Sequence, residues 1–485
     1  MGYFLIQFIL IIEQNVEKGS NTKGLKMLSK LLQPEIKSLI AERKLSTLKE
    51  ILSDWTPADI ADLIVDLSEQ EPVIIFRLLS NELAADTFEN LEVESQKGLL
   101  KAMAKNEVAA ILNEMDPDDR TALLEELPGA AAKQLIQLLS VEERIIARTL
   151  LGYPENSVGR LMTPDYIAIK PAWTIDETLK YIRENAEDSE TLNVVYVIDE
   201  KGKLLDDIKL KDFILASPDK KVTNLMDENY VALNVTDDQE EAVEVFKKYD
   251  RIALPVIDKF GVLIGIVTVD DVLDVAEEEA TEDIHKLAAV EAFEEPYPTI
   301  PLLEMVKKRA VWLTILFVAQ ILTVIVMGYF ESQISKAIVL SLFIPLIISS
   351  GGNSGSQAAT LVIRAMAVGE ITLKDWWQIM RREILSGLII GLILGSLGFL
   401  EVALLANFSN VIGVHWILVG ITISVSIIGI VLWGTLSGSM LPFILKRFGA
   451  DPATSSTPLV TTIVDIVGLI IYFTVAIIIL GGTLL

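Results

Sequence analysis

The pattern of hydrophobic and polar positions changes twice along this 485-residue chain. Residues 46–150 place apolar side chains at helical spacing, in short segments that stop at Pro, Asp or Glu. Residues 160–276 turn to short β-branched runs that alternate with amphipathic helices, and long apolar stretches follow from residue 310 onward. The pattern predicts a multidomain protein with an all-α part, an α/β part and a helical membrane part.

The first part contains a loose internal repeat. Residues 57–63 (PADIADL) resemble residues 117–123 (PDDRTAL), and each opens a helix with carboxylates in the first turn, where the helix dipole favours them. Repeated helical hairpins of this kind stack into a superhelix, so we expect an all-α superhelical domain over 46–158. Residues 1–45 precede it without an assigned role. Their apolar start, Met1–Ile12, is too short to span a bilayer and is interpreted as a packing or interfacial segment.

The second part is a tandem duplication. Strands are predicted at 193–199 and 252–258, each after a helix, which divides the region into units at 159–222 and 223–276. The runs LMTPDYIAIKP and GIVTVDD resemble a pair of CBS domains, in which a Thr and an Asp after the last strand line an adenine-nucleotide cleft. Thr268 and Asp270 match those positions, so the resemblance leaves two interpretations open: a plain regulatory dimerisation module, or a module that also binds ATP. The first unit departs from the pattern, because its equivalent strand lacks the small glycine-containing turn.

The third part predicts five membrane spans. Stretches of about 20 apolar residues suit a bilayer of ordinary thickness, and they lie at 310–330, 337–363, 384–405, 415–442 and 458–485. Basic residues cluster before the first span, between the second and third, and between the fourth and fifth, whereas the other loops contain only Lys336. The positive-inside rule then predicts cytoplasmic soluble domains and an outer C-terminus. We expect a multi-pass protein of a bacterial or archaeal plasma membrane.

Charge divides the chain in the same way. Residues 310–485 carry seven acidic and seven basic residues, so the whole net charge of −26 lies in residues 1–309. This acidity argues against a nucleic-acid partner. The chain has no cysteine and only two histidines, which excludes thiolate and nitrogen-rich metal centres. A bound metal would therefore have oxygen ligands, which favours magnesium, calcium or manganese.

One carboxylate lies alone in the last apolar stretch of the membrane part. Asp465 has no ionisable neighbour within 458–485 and sits roughly 10 Å into the helix that follows Pro458. A charge at that depth needs a partner, a water-filled cavity or a cation. Span two adds Asn353 and Gln357 in a glycine-rich run, and amides in hydrocarbon also need partners. We therefore predict that this face lines a pore.

An acidic helix is predicted between the soluble and membrane parts, over 270–287. Asp271, Asp274, Glu278 and Glu282 share one face of it, where like charges destabilise the helix. A solvated surface and a divalent counterion both explain this face, and the residues alone leave the two interpretations open.

The order of these parts, with the motifs PLIISSGGNSGSQ and DPATSSTPLVTTIVD, resembles the MgtE family of magnesium channels or transporters. The resemblance implies a homodimer in the lipid bilayer, with a pore on the two-fold axis lined by spans two and five. It implies a plug helix within 277–305 and a pore domain over 306–485. Asp465 matches the pore carboxylate, and the carbonyl of Ala450 with Asp451 matches a site at the cytoplasmic mouth. Asn353, Gln357, Thr457 and Thr461 are the implied pore-lining residues.

The same resemblance implies gating by cytosolic Mg²⁺, which bridges acidic surfaces and holds a closed state. Ala122 stands where the family has an acidic partner for one of these positions, and Thr457 stands where some relatives have Asn. The alternatives are a carrier of Mn²⁺ or Co²⁺ and a non-transporting membrane sensor; an enzyme lacks support, because the sequence shows no nucleophile–base constellation. The implied gating residues are Asp118, Asp238, Glu240, Asp250, Asp271, Asp274, Glu279, Glu282 and Asp283.

Overall fold

A computed structural model describes residues 22–65, 67, 71–187, 189–293, 297, 298, 300–408, 414–454 and 457–484, with side chains from residue 32 onward. Met1–Ile12, predicted to be a packing or interfacial segment, lies outside the described residues. The chain forms two compact units, Met1–Ala276 and Glu277–Leu485.

Ten helices form the first part of the first unit, as far as the structure describes it, which confirms the all-α prediction. Pro57 and Pro117 each stand at the start of a helix, where the missing N–H costs nothing. The apolar faces meet in a core that includes Leu48, Ile60 and Phe88, all fully buried. The helices are α1 Thr22–Ala41, α2 Leu45–Leu52, α3 Pro57–Val65, α4 Glu71–Phe76, α5 Asn81–Glu89, α6 Val93–Ala102, α7 Lys105–Glu114, α8 Pro117–Glu125, α9 Gly129–Ile136 and α10 Val141–Leu150.

Two similar α/β units follow, as the duplication predicts. Each has a three-stranded sheet in which a short first strand pairs parallel with the second, and the second pairs antiparallel with the third. The elements of the first are α11 Val158–Leu161, β1 Ala168–Ile169, α12 Ile175–Asn185, β2 Val194–Ile198, β3 Leu204–Lys209 and α13 Leu210–Leu215. Those of the second are a 3₁₀ turn Val222–Asn224, β4 Leu233–Asn234, α14 Gln239–Tyr249, β5 Ala253–Ile257 and β6 Leu263–Thr268.

The two sheets are joined reciprocally at their hairpins. The N–H of Leu204 donates to the carbonyl of Gly261 at 3.0 Å, and the N–H of Leu263 donates to the carbonyl of Gly202 at 3.0 Å. Both glycines have φ of +80°, a conformation that side chains disfavour. The pairing gives the two units a local two-fold relation, and it encloses a shared core of Val194, Tyr196, Leu204, Leu263 and Ile266.

One position breaks this symmetry. Gly265 of β6 admits no side chain, because a Cβ there would lie 2.7 Å from Met162 Sδ. Asp206 occupies the equivalent place in β3 and is 1% exposed. Its Oδ2 accepts from the N–H groups of Asp227 (2.8 Å) and Glu228 (3.1 Å). In the first α/β unit, the buried carboxylate of Asp206 thus takes the place of the glycine. It holds the backbone of residues 227 and 228, before β4, through hydrogen bonds.

Helix α15, Val269–Leu287, belongs to the first unit up to Ala276 and to the second unit from Glu277. Five apolar segments long enough to cross a membrane follow, which confirms the predicted spans: Leu302–Tyr329, Ile338–Ala367, Leu373–Phe408, Trp416–Arg447 and Thr457–Leu480. Their elements are α16 Leu302–Ala319, α17 Ile321–Tyr329, α18 Glu331–Lys336, a 3₁₀ turn Ile338–Phe343, α19 Ile344–Ala367, a 3₁₀ turn Leu373–Asp375, α20 Trp376–Phe408, α21 Trp416–Arg447, a 3₁₀ turn Pro452–Thr454 and α22 Thr457–Leu480.

Within the 277–305 segment, helix α15 ends where the acidic helix predicted over 270–287 ends. Helix α15 ends at Leu287, and Ala289 adopts a left-handed conformation with φ of 59°. The N–H of Val290 turns back to the carbonyl of His285 at 3.0 Å, which caps the helix. The chain enters the next helix only after Pro301.

Glycines set the packing of the membrane helices. Gly351 and Gly355 of α19 lie directly against Gly434 and Gly438 of α21, and a Cβ on either of the last two would collide with the α19 backbone. A row of glycines on α20 likewise packs closely against α21; it comprises Gly387, Gly391, Gly395 and Gly398. These contacts let the backbones approach without side chains between them.

We expect Gly438→Ala to destabilise the membrane unit by about 3 kcal/mol or more, because overpacking here meets backbone atoms that cannot move aside. The thermal unfolding temperature of the detergent-solubilised protein measures the effect. Gly328→Ala is the matched control, since a Cβ at Gly328 has no atom within 4 Å. Equal stability of the two variants would show that the glycine contact is not needed.

Candidate cation sites

Asp465 has a hydrogen-bond partner inside the membrane unit. The side-chain amide of Gln320 donates from Nε2 to Oδ2 of Asp465 at 3.1 Å. Gln320 lies between α16 and α17, in span one, so the partner comes from a helix that the sequence did not connect with the carboxylate. Its presence as a lone amide in an apolar span was the signal that could have identified it.

The first two turns of α22 bring hydroxyl groups close to span two. Thr461 packs on α19, where a Cβ at Gly352 would lie 3.2 Å from its Cγ2. The Thr461 hydroxyl donates to the carbonyls of Thr457 (3.1 Å) and Pro458 (2.9 Å). Both predicted pore-lining threonines therefore belong to one helix face that starts beside α19.

The polar side chains of α19 form an exposed stripe. Ser349, Asn353 and Gln357 are four residues apart and exposed in the single chain, and Asn353 donates to the Ser349 hydroxyl at 3.4 Å. Gly351 and Gly355 are buried on the side that packs against α21. Amides on a membrane helix face a protein or aqueous partner rather than lipid. The structure thus places Asn353 and Gln357 where another polar surface has to meet them.

A second group of charges lies at the start of span five. Asp451 accepts from the N–H of Ala453 at 2.8 Å, directly after Ala450 and the left-handed Gly449. Lys286 of α15 contacts both Asp451 and Glu282 at 2.7 Å, so its ammonium group bridges two of the predicted metal ligands. The sequence reasoning considered only the acids of this helix and missed this lysine.

Burial and charge act together on this group. Burial raises the pKa of Asp283, and the Asp451 carboxylate raises it further, whereas Lys286 lowers it. Glu279 and Glu282 also raise the pKa of Asp283. Asp283 of α15 thus interacts electrostatically with Asp451 and with its own neighbours Glu279 and Glu282.

The first unit contains an acidic cluster that the sequence analysis found only in part. Ligand oxygens of Glu89, Asp116 and Asp119 all lie within 4.8 Å of one another. The N–H of Asp116 donates to Glu89 Oε1 at 2.8 Å, which joins the end of α5 to the start of α8. The loop before α8 and the end of α5 are far apart in sequence, so no local motif predicts their meeting.

Asp118 and Asp271 extend this cluster. Burial raises the pKa of Asp118 well above its usual value, and the charge of Asp271 adds to the effect. Burial raises the pKa of Asp271 to about 6, although the Thr268 hydroxyl, which donates to it at 2.6 Å, opposes the shift. The charges of Asp270 and Asp274 also raise the pKa of Asp119. Four residues selected from the sequence therefore interact with this cluster: Asp118, Asp270, Asp271 and Asp274.

Three other residues predicted to act in gating, Asp238, Glu240 and Asp250, lie at the two ends of helix α14. Asp238 caps the start of α14 by accepting from the N–H of Glu240 at 3.0 Å, and both side chains are exposed. Asp250 stands at the other end of the same helix with φ of 48°. Because a helix rises 1.5 Å per residue, Asp238 and Asp250 are roughly 18 Å apart and cannot share one ion within a chain.

The two residues predicted to bind a nucleotide, Thr268 and Asp270, differ in their exposure to solvent. Thr268 is buried with its hydroxyl directed at Asp271, whereas Asp270 is exposed. A cavity of about 410 Å³ lies instead beside β3 of the first α/β unit, and the buried Asp207 in it pairs with Arg251 at 2.8 Å. Its lining also includes Lys209, Lys211, Asp212, Asp227, Asn229, Tyr249 and Asp250.

The fold and these sites define a class: a multi-pass membrane protein with acidic helical and α/β soluble domains. The family described as "Divalent cation transporter" (MgtE) matches residues 344–475, and the "MgtE intracellular N domain" matches residues 55–156. CBS domains match residues 158–219 and 222–278.

Two curated relatives carry the name "Magnesium transporter MgtE". The protein of Thermus thermophilus is 36% identical over 452 residues, which are 92% of this chain and 98% of the relative. The protein of Bacillus subtilis is 30% identical over 449 residues, 90% of this chain and 95% of the relative. The chain belongs to the MgtE family.

Solved structures resemble the soluble part of the chain. The soluble part of a magnesium transporter shares 28% identity at a TM-score of 0.50, over 52% of this chain and 99% of that one. The cytosolic domain of the Mg²⁺ channel MgtE, in complex with ATP, shares 34% identity at a TM-score of 0.49, over 50% of this chain and 100% of that one.

The acidic cluster predicts a pH dependence in the absence of divalent cations. Burial and the Asp119 charge raise the pKa of Glu89 to about 8, and burial with the Asp271 charge raises that of Asp119 to about 7. The folded state therefore binds more protons than the unfolded state between about pH 4 and pH 8, and stability falls as the pH rises through this range. As the pH rises through this range, the backbone amides of α8 in the full-length protein should exchange hydrogen faster. The increase should exceed the one that pH causes in an unfolded peptide.

Glu89→Gln should flatten this pH dependence, because it removes the carboxylate with the highest of these pKa values. Glu142→Gln is the control, since Glu142 is an exposed acid on α10 of the same unit. A slope that is unchanged by Glu89→Gln would contradict the assignment.

Proposed function

We propose that this protein transports Mg²⁺ across the membrane and that Asp465 is the carboxylate in its pathway. The observation that carries the proposal is the hydrogen bond between Asp465 and Gln320, in which a membrane carboxylate has a neutral donor for a partner. Within the described residues no lysine or arginine pairs with Asp465, so its negative charge remains available to a cation. The similarity to proteins named magnesium transporters supports Mg²⁺ as the ion.

The chemistry of the site suits a hydrated ion. Mg²⁺ gives up its water reluctantly and is held through one or two carboxylates rather than by an all-protein cage. A lone carboxylate flanked by an amide and by the hydroxyls of α22 provides groups that can bind water molecules of the ion. The broader alternative is a carrier of Mn²⁺ or Co²⁺, which shares the carboxylate. Oxygen ligands alone suit Mn²⁺ as well as Mg²⁺, and they suit Co²⁺ less.

We propose a homodimer with the pathway on its two-fold axis. The exposed stripe of Ser349, Asn353 and Gln357 is a polar surface that a second copy or the water of a pore would satisfy. Symmetry would then bring two Asp465 carboxylates to one level of the pathway. Their mutual repulsion disfavours an empty site and favours a divalent cation between them.

The proposed orientation follows from the basic residues of the loops. Lys446 and Arg447 end α21, and Arg381 and Arg382 stand near the start of α20. The positive-inside rule puts these ends, with the soluble domains, on the cytoplasmic side and the C-terminus outside. The acidic clusters would then sample the cytosolic Mg²⁺ concentration.

We propose that cytosolic Mg²⁺ closes the pathway by binding to these clusters. Clustered carboxylates with raised pKa values repel one another, so a divalent cation stabilises the arrangement that gathers them. A ligand shifts an equilibrium between two states only when it binds one of them better. The state in which the carboxylates lie close together is the one that provides the cation site. At the mouth, Lys286 already neutralises Glu282 and Asp451, so a cation bound there has to displace an ammonium group.

Nucleotide binding stays a prediction. The cavity beside β3 is lined by the cationic groups of Lys209, Lys211 and Arg251, but five aspartates line it as well, and Arg251 pairs with Asp207. The Thr268 hydroxyl donates to Asp271, so neither the cavity nor the residues selected from the sequence is favoured over the other.

Asp465→Asn should abolish Mg²⁺ transport, because the amide keeps the shape of the side chain and removes its charge. The measurement is Mg²⁺ flux into liposomes that contain the purified protein, with growth of a magnesium-transport-deficient bacterium as a second readout. Glu401→Gln is the matched control, since Glu401 is an exposed carboxylate on α20. Wild-type flux in Asp465→Asn together with loss in Glu401→Gln would refute the pathway.

Asp119→Asn should weaken Mg²⁺ binding at the cluster of Glu89, Asp116 and Asp119, where we propose that Mg²⁺ binds to close the pathway. Removing one of three clustered carboxylates costs a hard cation a ligand, and we expect the Mg²⁺ midpoint to rise roughly tenfold, equivalent to about 1.4 kcal/mol. The midpoint is measured as protection of α15 from limited proteolysis across a Mg²⁺ titration of the full-length protein. Glu142→Gln should leave the midpoint in place, and protection that ignores Mg²⁺ altogether would count against gating.

A further inference from the structure

Gln320 occupies a break in span one. Helix α16 ends at Ala319 and α17 begins at Ile321, and the backbone of Gln320 between them has φ of −61° and ψ of −17°. The Gln320 carbonyl accepts from the N–H of Thr323 at 3.0 Å, a tighter turn than the α-helix has. This turn holds the side chain at the level of Asp465, on a different span.

The bond that Gln320 makes is a restraint on the carboxylate. Nε2 holds Oδ2 of Asp465 at 3.1 Å, and a hydrogen bond to an ionised acceptor is stronger than one between neutral groups. A lysine in the same place would cancel the charge, whereas the amide fixes the orientation of the carboxylate and leaves its charge in place.

The surrounding surface is also polar. Thr323 lies three residues after Gln320, on the same side of the segment, and its hydroxyl is buried without a hydrogen-bond partner among the described residues. A buried hydroxyl in this state is what a water molecule satisfies. Two polar groups of span one thus lie on the face that approaches the carboxylate.

We propose that Gln320 is the positioning residue of the Asp465 carboxylate and a determinant of its selectivity for Mg²⁺. The inference rests on the proposed transport function and deepens it. A carboxylate fixed through one oxygen can meet a compact, hydrated Mg²⁺ but adapts poorly to direct binding. Ca²⁺ accepts flexible and bidentate carboxylate coordination, so a carboxylate released from Gln320 favours Ca²⁺ relative to Mg²⁺.

The test uses full-length Gln320→Met in liposomes, because methionine keeps the length of the side chain and removes the donor. We expect the half-saturating Mg²⁺ concentration to rise about tenfold, which corresponds to losing a hydrogen bond to a charged group of about 1.5 kcal/mol. The maximal Mg²⁺ rate should change less, and the ratio of Ca²⁺ to Mg²⁺ flux should rise. Thr314→Val is the control on the same span, since among the described residues the Thr314 hydroxyl donates to the carbonyl of Ala310 on its own helix.

A double-mutant cycle separates positioning from helix packing. The readout is the Mg²⁺-induced rise in unfolding temperature, which reports binding without requiring transport. Gln320→Met should reduce this rise in the wild-type background and change nothing further in the Asp465→Asn background. An equal effect in both backgrounds, or an unchanged flux ratio and half-saturating concentration, would overturn the proposal.

Gln320→Glu provides a second variant that keeps a polar side chain at the helix break. It removes the amide donor as Gln320→Met does and adds a second carboxylate beside Asp465, so the ratio of Ca²⁺ to Mg²⁺ flux should again rise above that of the wild type. A ratio equal to or below that of the wild type would overturn the proposal. Transport by the wild type and its loss in Asp465→Asn test the proposed function separately, so failure of the Gln320 variants alone leaves that function standing.

Discussion

The contact between the backbones of α19 and α21 determines how the rest of the membrane unit is arranged. Gly351 and Gly355 meet Gly434 and Gly438 without side chains between them, so α19 has a single allowed rotation about its axis. In that rotation, the amides of α19 point away from α21, and Gly352 lies against Thr461 in the first turns of α22. The position of Asp465 follows from this packing, because α22 is seated against both helices.

The carboxylates of the chain are stabilised in three different ways. In the membrane, Asp465 has a neutral amide; at the start of span five, Asp451 has the ammonium group of Lys286; in the first unit, Glu89 and Asp119 are close mainly to other acids. The cost of bringing these charges together depends on how much countercharge each one has. The acid-rich cluster therefore depends most on protons or cations, whereas the lysine-bridged site has a cation of its own.

The sequence predicted those features that depend on local pattern. Span lengths, the strands β2 and β5 and the acidic face of α15 follow from periodicity and composition, and the structure contains all of them. The partners of the functional carboxylates did not follow. Gln320 is 145 residues from Asp465, and Lys286 is a single base in a helix described by its acids. Such contacts are made by tertiary packing, which a linear pattern does not encode.

The reciprocal hairpins of the two α/β units have a consequence for how this region folds. Leu204 and Leu263 each complete the hydrogen bonding of the opposite hairpin, and Tyr196 is buried by residues of both units. Each half also has a core of its own, but cutting the chain between them would expose the shared apolar surface and unpaired backbone on both sides. We therefore expect the duplicated region to unfold as one cooperative unit, because the two copies of the motif stabilise each other.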